Sequence, residues 1–275
     1  MKDTIKPDQY KLIISDIDGT IKCSGQGVSP YTRKIIDKIR ERGLFFTLAS
    51  GRSLPGAMEI AQELKIDIPL VLSNGCILQK ITGEILHRAL MPLAITKKIF
   101  EITDQKNYDL VLFVDDQLYF KKMTDNIEPV FGRIPDACHQ VGDWKNLPIK
   151  LETINKCMVL ERSSPEKLVA LEKVFEDEFS GSADYYRTGI YHLEVMPLGT
   201  SKAVGLQKLV DLLGIQMEQV IAFGDYDNDA ALLAAAGLGI AVANATDNVK
   251  NNADLVIGPC SDDAPAKLLS ELFLQ

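Results

Sequence analysis

Two carboxylates stand directly after the first apolar run of the chain, where an extended segment meets a turn. The run covers residues 12–14, and Ser15 leads into the sequence D-I-D-G-T at residues 16–20. Because side chains alternate along an extended backbone, Asp16 and Asp18 point to the same side. Two like charges this close are costly unless a metal ion shares one or a proton neutralises the other, which indicates catalysis or metal binding. The structural alternative is a polar turn, since Asp-Gly is a common turn dipeptide.

A second acidic turn follows another apolar run much later in the chain. The run at residues 220–223 leads into G-D-Y-D-N-D at residues 224–229. Acids placed just past the carboxyl end of a strand match the position where open parallel sheets gather their ligand groups. Between the two turns, an apolar segment at residues 45–49 ends at Ser50, and Lys202 opens a helix. Four such elements in this order are more specific than any one of them.

Strands and helices must alternate at both ends of the chain to place these residues. Ser29 can cap a helix with Pro30 at its first position, and Gly43 ends that helix before the strand to Ser50. Ser53 can cap the next helix in the same way. This alternation predicts an α/β core, a parallel sheet with helices on both faces.

The middle of the chain has a different pattern, beginning near residue 84. Strand-like and helix-like segments follow one another there without the parallel alternation, at residues 110–114, 117–121, 154–160, 164–179, 184–188 and 191–196. The alternation resumes at Thr200. We therefore predict a core formed by residues 1–84 and 198–275, with an α+β domain inserted at residues 85–197.

The four motifs together resemble the haloacid dehalogenase superfamily. Its motifs are D-x-D-x-T, a strand-ending Ser or Thr, a Lys, and an acidic G-D-x-x-N-D turn, and they occur here in that order. The Cof-type phosphatase branch is the most similar, because the chain also has Asn74-Gly75 and A-V-A-N-A at residues 241–245. The resemblance implies a Rossmann-like parallel sheet core with helices on both faces, plus an inserted α+β cap domain that confers substrate specificity. Ile21, Lys22, Asp227 and Ala230 depart from the commoner family residues, but none of them replaces a catalytic residue type, so the departures bear on the substrate rather than on the reaction.

The resemblance also implies a reaction and a role for each motif residue. The expected activity is Mg²⁺-dependent hydrolysis of a small phosphomonoester, such as a sugar phosphate or a related metabolite. Asp16 would attack phosphorus and form an aspartyl phosphate, while Asp18 would serve as general acid and base. Ser50 and Lys202 would contact phosphoryl oxygens. Mg²⁺ would be held by Asp16, the Asp18 backbone carbonyl, Asp225 and Asp229, and the substrate would be bound by Gly51, Arg52, Asn74, Gly75 and Asn244.

Counting charges assigns a proton within this predicted site. Its four carboxylates carry four negative charges, and Mg²⁺ with Lys202 supplies three positive charges. One protonated carboxylate balances the site before substrate arrives. Asp18 is the expected carrier because its side chain is not assigned to the metal and neighbouring anions raise a carboxyl pKa.

Other interpretations of the same residues remain open. Taken singly, Lys202 fits a solvated lysine in a first helical turn, Ser50 a strand-end cap, and Asp229 a helix N-terminal acid. A hexose phosphomutase shares the aspartyl-phosphate chemistry, and a non-enzymatic signal receiver would use phosphoaspartate as its message. A cation pump is excluded because the chain lacks the D-K-T-G motif and an apolar run long enough to span a membrane.

Composition favours a cytoplasmic enzyme that acts on small molecules. The chain has 275 residues, 46% of them hydrophobic, which is enough for a sizeable core. Its net charge of -8 argues against nucleic acid or a membrane surface as a partner, leaving a small phosphorylated substrate. The oligomeric state is not indicated. Residues 1–10 lack a signal-peptide core, and the five cysteines, without a C-x-x-C motif, are expected to be reduced thiols rather than disulfides or zinc ligands.

Overall fold

The structure is a computed structural model that describes residues 5–23 and 25–274. Its strands are β1 Leu12–Ser15, β2 Phe45–Leu48, β3 Leu70–Leu72, β4 Ile77–Gln79, β5 Ile85–Arg88, β6 Asp109–Val114, β7 Gln117–Phe120, β8 Cys138–Gln140, β9 Lys156–Leu160, β10 Ala183–Gly189, β11 His192–Pro197, β12 Val220–Gly224, β13 Leu238–Ala241 and β14 Leu255–Val256. Its helices are α1 Pro30–Glu41, α2 Leu54–Glu63, α3 Leu93–Lys106, α4 Glu128–Phe131, α5 Pro165–Phe179, α6 Lys202–Leu213, α7 Ala230–Ala235, α8 Asp247–Asn251 and α9 Ala264–Phe273.

A parallel sheet forms the core, with strand order β14-β13-β12-β1-β2. Every residue of β1 is buried, which explains why residues 12–14 form a continuous apolar run rather than an alternating pattern. Ser15 pairs with Phe223, so the carboxyl ends of β1 and β12 lie side by side. The Asp16 backbone N–H continues the ladder by donating to Phe223 O at 3.0 Å. Both predicted acidic turns therefore leave the sheet at the same edge.

A small antiparallel sheet, β3-β4-β5, continues the core beyond β2. A parallel bridge between Ala49 and Val71 joins the two sheets, and the Ser50 N–H donates to Val71 O at 2.8 Å. The loop after β2 and the loop after β3 consequently meet at the edge that carries the acids.

A second sheet has the order β10-β11-β9-β6-β7-β8, antiparallel except for the β7–β8 pair. Successive residues of β6 pack into different apolar clusters, as the two-residue period of a strand requires: Leu112 packs with α3 and α5, and Val111 with Phe131 of α4. We call this sheet and its helices, residues 91–197, the cap. A parallel sheet core with helices and a separate sheet-rich cap region confirms the predicted fold class. The predicted limits of an inserted domain, residues 85 and 197, stay a prediction.

Helix boundaries follow local signals where the sequence contains them. The Ser29 side chain accepts a hydrogen bond from the Thr32 N–H at 3.0 Å, so Ser29 is confirmed as the predicted N-cap residue of α1. Ser53 occupies the N-cap position of α2 without a side-chain hydrogen bond. The sequence did not predict α3, which follows Pro92 and begins without a side-chain cap. No helix among the described residues is long and apolar enough to cross a bilayer.

The structure corrects the expectation that all five cysteines are reduced. Cys23 and Cys260 form a disulfide with a Cα–Cα distance of 5.8 Å, and Cys76, Cys138 and Cys157 are free thiols. The pair joins the segment after β1 to the segment before α9, and α9 packs against α1. Because the two cysteines are 237 residues apart, their spacing in the sequence carries no signal of this contact.

Candidate active site

Three buried carboxylates meet at the carboxyl edge of the parallel sheet. Asp16 follows β1, while Asp225 and Asp229 follow β12, and one oxygen from each lies within 4.8 Å of the others. Lys202, the first residue of α6, lies among them with its side chain 1% exposed. Its Nζ atom is 2.5 Å from Asp16 Oδ1 and 2.6 Å from Asp229 Oδ1. The structure therefore brings together four of the residues that the sequence predicted for the site.

Burial and mutual repulsion change the proton affinity of these groups. Burial raises the pKa of Asp16 well above its ordinary value, with Asp229 and Asp225 adding to the effect and Lys202 opposing it. The pKa of Asp225 rises to about 7, again chiefly because of burial, although the Thr20 hydrogen bond lowers it. Burial alone would lower the pKa of Lys202, but the carboxylates of Asp16 and Asp229 outweigh burial and raise it. The fully ionised cluster is thus short of positive charge.

The donor set of this cluster fits Mg²⁺. Its three carboxylates carry three negative charges against one positive charge on Lys202, which leaves a net charge of -2. All the candidate ligand atoms are oxygens, the type of ligand that Mg²⁺ prefers. Asp16, Asp225 and Asp229 are therefore the side chains that could hold a divalent cation here. Asp18 contributes no side-chain oxygen to the cluster, and its expected backbone-carbonyl ligand stays a prediction.

Asp18 lies apart from the other acids in an ion pair with Arg52. Its side chain is 56% exposed, and the guanidinium contacts both carboxylate oxygens, Nε with Oδ2 and Nη2 with Oδ1, at 2.7 Å each. Lys22 Nζ is 3.8 Å from Asp18 Oδ1. The charge count that predicted a proton on Asp18 did not include Arg52, and the protonation of Asp18 stays a prediction. Such bidentate contacts are among the stronger hydrogen bonds in proteins.

Backbone and hydroxyl donors fix the acidic loops. Thr20 Oγ1 donates to Asp225 Oδ1 at 2.7 Å, and Asp229 Oδ2 accepts from the Asp225 N–H at 3.0 Å. Gly19 has φ +90°, and a Cβ atom there would overlap the Asp225 carboxylate, so this position requires glycine. Asn244 Nδ2 donates to Gly19 O at 2.8 Å. The Asn244 side chain therefore holds the first acidic loop by binding a backbone carbonyl of that loop.

The loops after β2 and β3 hold one another through their backbones. The Asn74 N–H donates to Ser50 O at 2.9 Å, and the Arg52 N–H donates to the Ser50 hydroxyl at 3.2 Å. Asn74 has φ 56°, in the left-handed region, and Gly75 has φ +91°. A Cβ atom on Gly75 would overlap the Ser201 carbonyl, so the loop packs tightly against the start of α6. The predicted roles of these residues toward substrate stay predictions.

Sequence reasoning missed several polar residues near the site. Thr20 and Asn228 lie inside the two acidic motifs, so their positions carried a signal that could have been used. Lys156 and Glu194 come from the cap, where they contact Gly51 and Asn74. Nothing in the sequence marks these two, because strand alternation does not show which cap residues face the core.

Comparison with known proteins shows a family match along nearly the whole chain. The profile of a family described as haloacid dehalogenase-like hydrolase matches residues 13–269. The chain is 29% identical over 268 residues to 5-amino-6-(5-phospho-D-ribitylamino)uracil phosphatase of Bacillus subtilis, covering 95% of this chain and 97% of that protein. It is 27% identical over 267 residues to HMP-PP phosphatase of Yersinia pseudotuberculosis, covering 94% of each chain.

A solved structure supports the same assignment. A haloacid dehalogenase-like hydrolase from Bacteroides thetaiotaomicron superposes with a TM-score of 0.85 and 26% sequence identity. The match covers 96% of this chain and 100% of that one. The superposition therefore includes the cap as well as the parallel sheet.

Proposed function

Since the chain belongs to the haloacid dehalogenase-like hydrolase family, we propose that it is a Mg²⁺-dependent phosphatase acting through an aspartyl phosphate on Asp16. The substrate would be a small phosphomonoester, such as a sugar phosphate or a related metabolite. The observation that carries the proposal is the buried cluster in which Lys202 Nζ lies 2.5 Å from Asp16 Oδ1 beside Asp225 and Asp229. A nucleophilic carboxylate, a fixed cation and an oxygen-only ligand set are the parts that phosphoryl transfer needs.

The proposed reaction uses the two carboxylates of the acidic loop after β1, Asp16 and Asp18, one after the other. An oxygen of Asp16 attacks phosphorus, and the bond to the departing oxygen breaks as that oxygen takes a proton from Asp18. Water then attacks phosphorus and loses a proton to Asp18, while the bond between phosphorus and the Asp16 oxygen breaks, which releases orthophosphate and restores the Asp16 carboxylate. Arg52 holds Asp18 at the site before substrate binds. An anionic substrate competes for this guanidinium, which releases Asp18 to take up a proton from solvent before it protonates the departing oxygen.

Asp16, Asp225, Asp229 and the Asp18 carbonyl would hold Mg²⁺ in this scheme. When bound, the ion neutralises charge on the phosphoryl group. Lys202 supplies a further positive charge whose position is fixed by two carboxylates. The Ser50 hydroxyl, on the turn beside Arg52, would donate to a phosphoryl oxygen.

Phosphate release from a panel of phosphorylated metabolites tests the proposal. The panel includes the substrates for which the two curated relatives are named, together with sugar phosphates. We expect release with Mg²⁺ and loss of release in excess chelator. Asp225→Asn should lose activity, whereas Asp227→Asn is a matched control, because Asp227 is an exposed acid of the same loop that contacts Thr246. Full turnover in excess chelator would contradict the proposal.

A further inference from the structure

A buried ion pair in the cap makes contacts that stabilisation of the folded cap does not explain. Lys156 of β9 and Glu194 of β11 have side chains 0% and 2% exposed, and Nζ lies 2.6 Å from Glu194 Oε2. Taking both charges out of water is costly, and apolar residues of similar volume often stabilise a protein as well or better. A pair buried this completely therefore points to a role other than holding the cap together.

Each member of the pair contacts a core loop at the candidate active site. Lys156 Nζ donates to Gly51 O at 2.8 Å, and Glu194 Oε2 accepts from Asn74 Nδ2 at 2.8 Å. Thr188 Oγ1 donates to the other carboxylate oxygen of Glu194 at 2.9 Å. Both charged groups are thus committed to the loops after β2 and β3.

The carboxylate of Glu194 determines how the Asn74 amide is oriented. A carboxylate only accepts hydrogen bonds, so Asn74 must turn its NH₂ group toward Glu194. Its carbonyl oxygen then faces away and accepts from Asn228 Nδ2 at 2.9 Å. Asn228 precedes Asp229, one of the three clustered acids. A chain of hydrogen bonds therefore runs from the cap to the second acidic loop.

The pair also restrains the turn that carries Ser50. Asn74, oriented by Glu194, donates its backbone N–H to Ser50 O at 2.9 Å, and Lys156 binds the next carbonyl, Gly51 O. Two successive carbonyls of this turn are thereby held from outside the turn. Ser73 and Asn74 both have positive φ values, 49° and 56°, a conformation that persists only where surrounding contacts impose it.

We propose that Lys156 and Glu194 are positioning residues for the reaction, acting from the cap through Gly51 and Asn74 on the Ser50 turn and the second acidic loop. This inference rests on the proposed phosphatase function. It makes part of the cap a component of the catalytic geometry, in addition to the specificity expected of a cap.

Two double variants isolate the hydrogen bond from the charge. Lys156→Met/Glu194→Gln removes both charges but keeps an acceptor for the Asn74 amide, because the carboxamide oxygen can take the place of Oε2. Lys156→Met/Glu194→Leu removes the acceptor as well, at similar volume. Because both variants lose the Lys156 contact with Gly51 O, we expect the first to lower kcat about tenfold and the second to lower it by a further tenfold or more. Wild-type kcat in the first variant would contradict the role of Lys156. Equal kcat values for the two would overturn the proposal.

Adding Asn74→Ala to both double variants tests whether Glu194 acts through Asn74. If it does, the difference in kcat between them disappears, whereas a merely structural effect of the leucine persists. Asn74→Ala alone must also lower kcat by about 10-fold or more, so full activity in that single variant contradicts the proposal even if the leucine variant does not fold. Circular dichroism and thermal unfolding identify variants that fail to fold.

Orthophosphate binding distinguishes failure of this inference from failure of the proposed function. Calorimetry with Mg²⁺ should show weaker orthophosphate binding in Lys156→Met/Glu194→Leu than in its glutamine counterpart, a comparison that needs no turnover. An inactive wild-type protein that still shows this difference contradicts the phosphatase assignment alone. An active wild-type protein with equal binding and equal kcat in the two double variants contradicts the positioning role alone.

Discussion

Lys202 Nζ and Asp16 Oδ1 lie 2.5 Å apart, and both side chains are almost fully buried. The same Nζ atom contacts Asp229, so one ammonium group joins the loop after β1 to the loop after β12. Its charge offsets the repulsion between two acids that the fold forces together. It also fixes the position of the carboxylate that we propose as nucleophile.

Removing this ammonium should destabilise the protein and inactivate it. Lys202→Met leaves the buried carboxylates without their counter-charge, and breaking a buried ion pair typically costs about 3–5 kcal/mol. Urea unfolding without Mg²⁺ should show a loss of this order. Lys34→Met, in an exposed residue of α1, is the control and should change little. Wild-type stability of Lys202→Met would contradict the electrostatic role.

Stability of the metal-free protein should fall as the pH rises toward neutrality. Asp225 ionises near 3.8 in the unfolded chain, but its pKa in the folded protein is about 7. Between these values the folded state binds more protons than the unfolded state, so the free energy of unfolding decreases with pH. The raised pKa of Asp16 acts in the same direction.

Mg²⁺ should reverse this trend because it binds the ionised carboxylates and displaces their protons. We therefore expect the increase in Tm caused by Mg²⁺ to be larger at about pH 8 than at about pH 5. Thermal scans with Mg²⁺ and with chelator measure the difference. An identical Mg²⁺ effect on Tm at both pH values would contradict a metal site built from these acids.

The Arg52–Asp18 pair should matter for turnover more than for folding. Because both groups are partly exposed, losing their contact costs little stability. Arg52→Lys keeps the charge but cannot make the two parallel hydrogen bonds that hold the Asp18 carboxylate at the site. We therefore expect kcat/KM to fall about tenfold or more. Arg33→Lys is a matched control, since Arg33 pairs with Glu63 on the surface. Unchanged kcat/KM in Arg52→Lys would argue against this role of Arg52.

The disulfide can be tested by counting thiols. Protein prepared without reductant and unfolded in guanidinium should react with Ellman's reagent at three cysteines, because Cys23 and Cys260 are paired. The double variant Cys23→Ser/Cys260→Ser should lower the free energy of unfolding, by up to about 5 kcal/mol. Five reactive thiols in the untreated protein would restore the expectation of reduced cysteines.

The candidate site was predictable where local signals and strand order coincide. The acids after β1 and β12 stand at the ends of apolar runs, and parallel pairing of those runs brings them together. Ser29 before Pro30 likewise indicated the start of α1 through a local cap. Such features depend on neighbouring residues and on one general rule of sheet topology.

Other features were not predictable because they depend on contacts between distant segments. Lys156 and Glu194 look like polar residues of ordinary strands until the cap is placed against the core. The same holds for Cys23 and Cys260. The sequence predicted that Arg52 binds substrate, and it gave no signal that Arg52 also pairs with Asp18. This pairing adds a positive charge that the charge count did not include.

Trapping the covalent intermediate tests the central claim most directly. Asp18→Asn keeps the Asp16 nucleophile but removes the general acid and base, whose contribution to a proton transfer is about 10²–10⁴-fold. With an ester whose leaving group needs no protonation, this variant should transfer phosphate to Asp16 and then stall. Rapid-quench mass spectrometry should find the added phosphoryl group on the peptide that contains Asp16, and none in Asp16→Asn. A phosphoryl group on another residue, or near wild-type turnover by Asp16→Asn, would contradict the proposed mechanism.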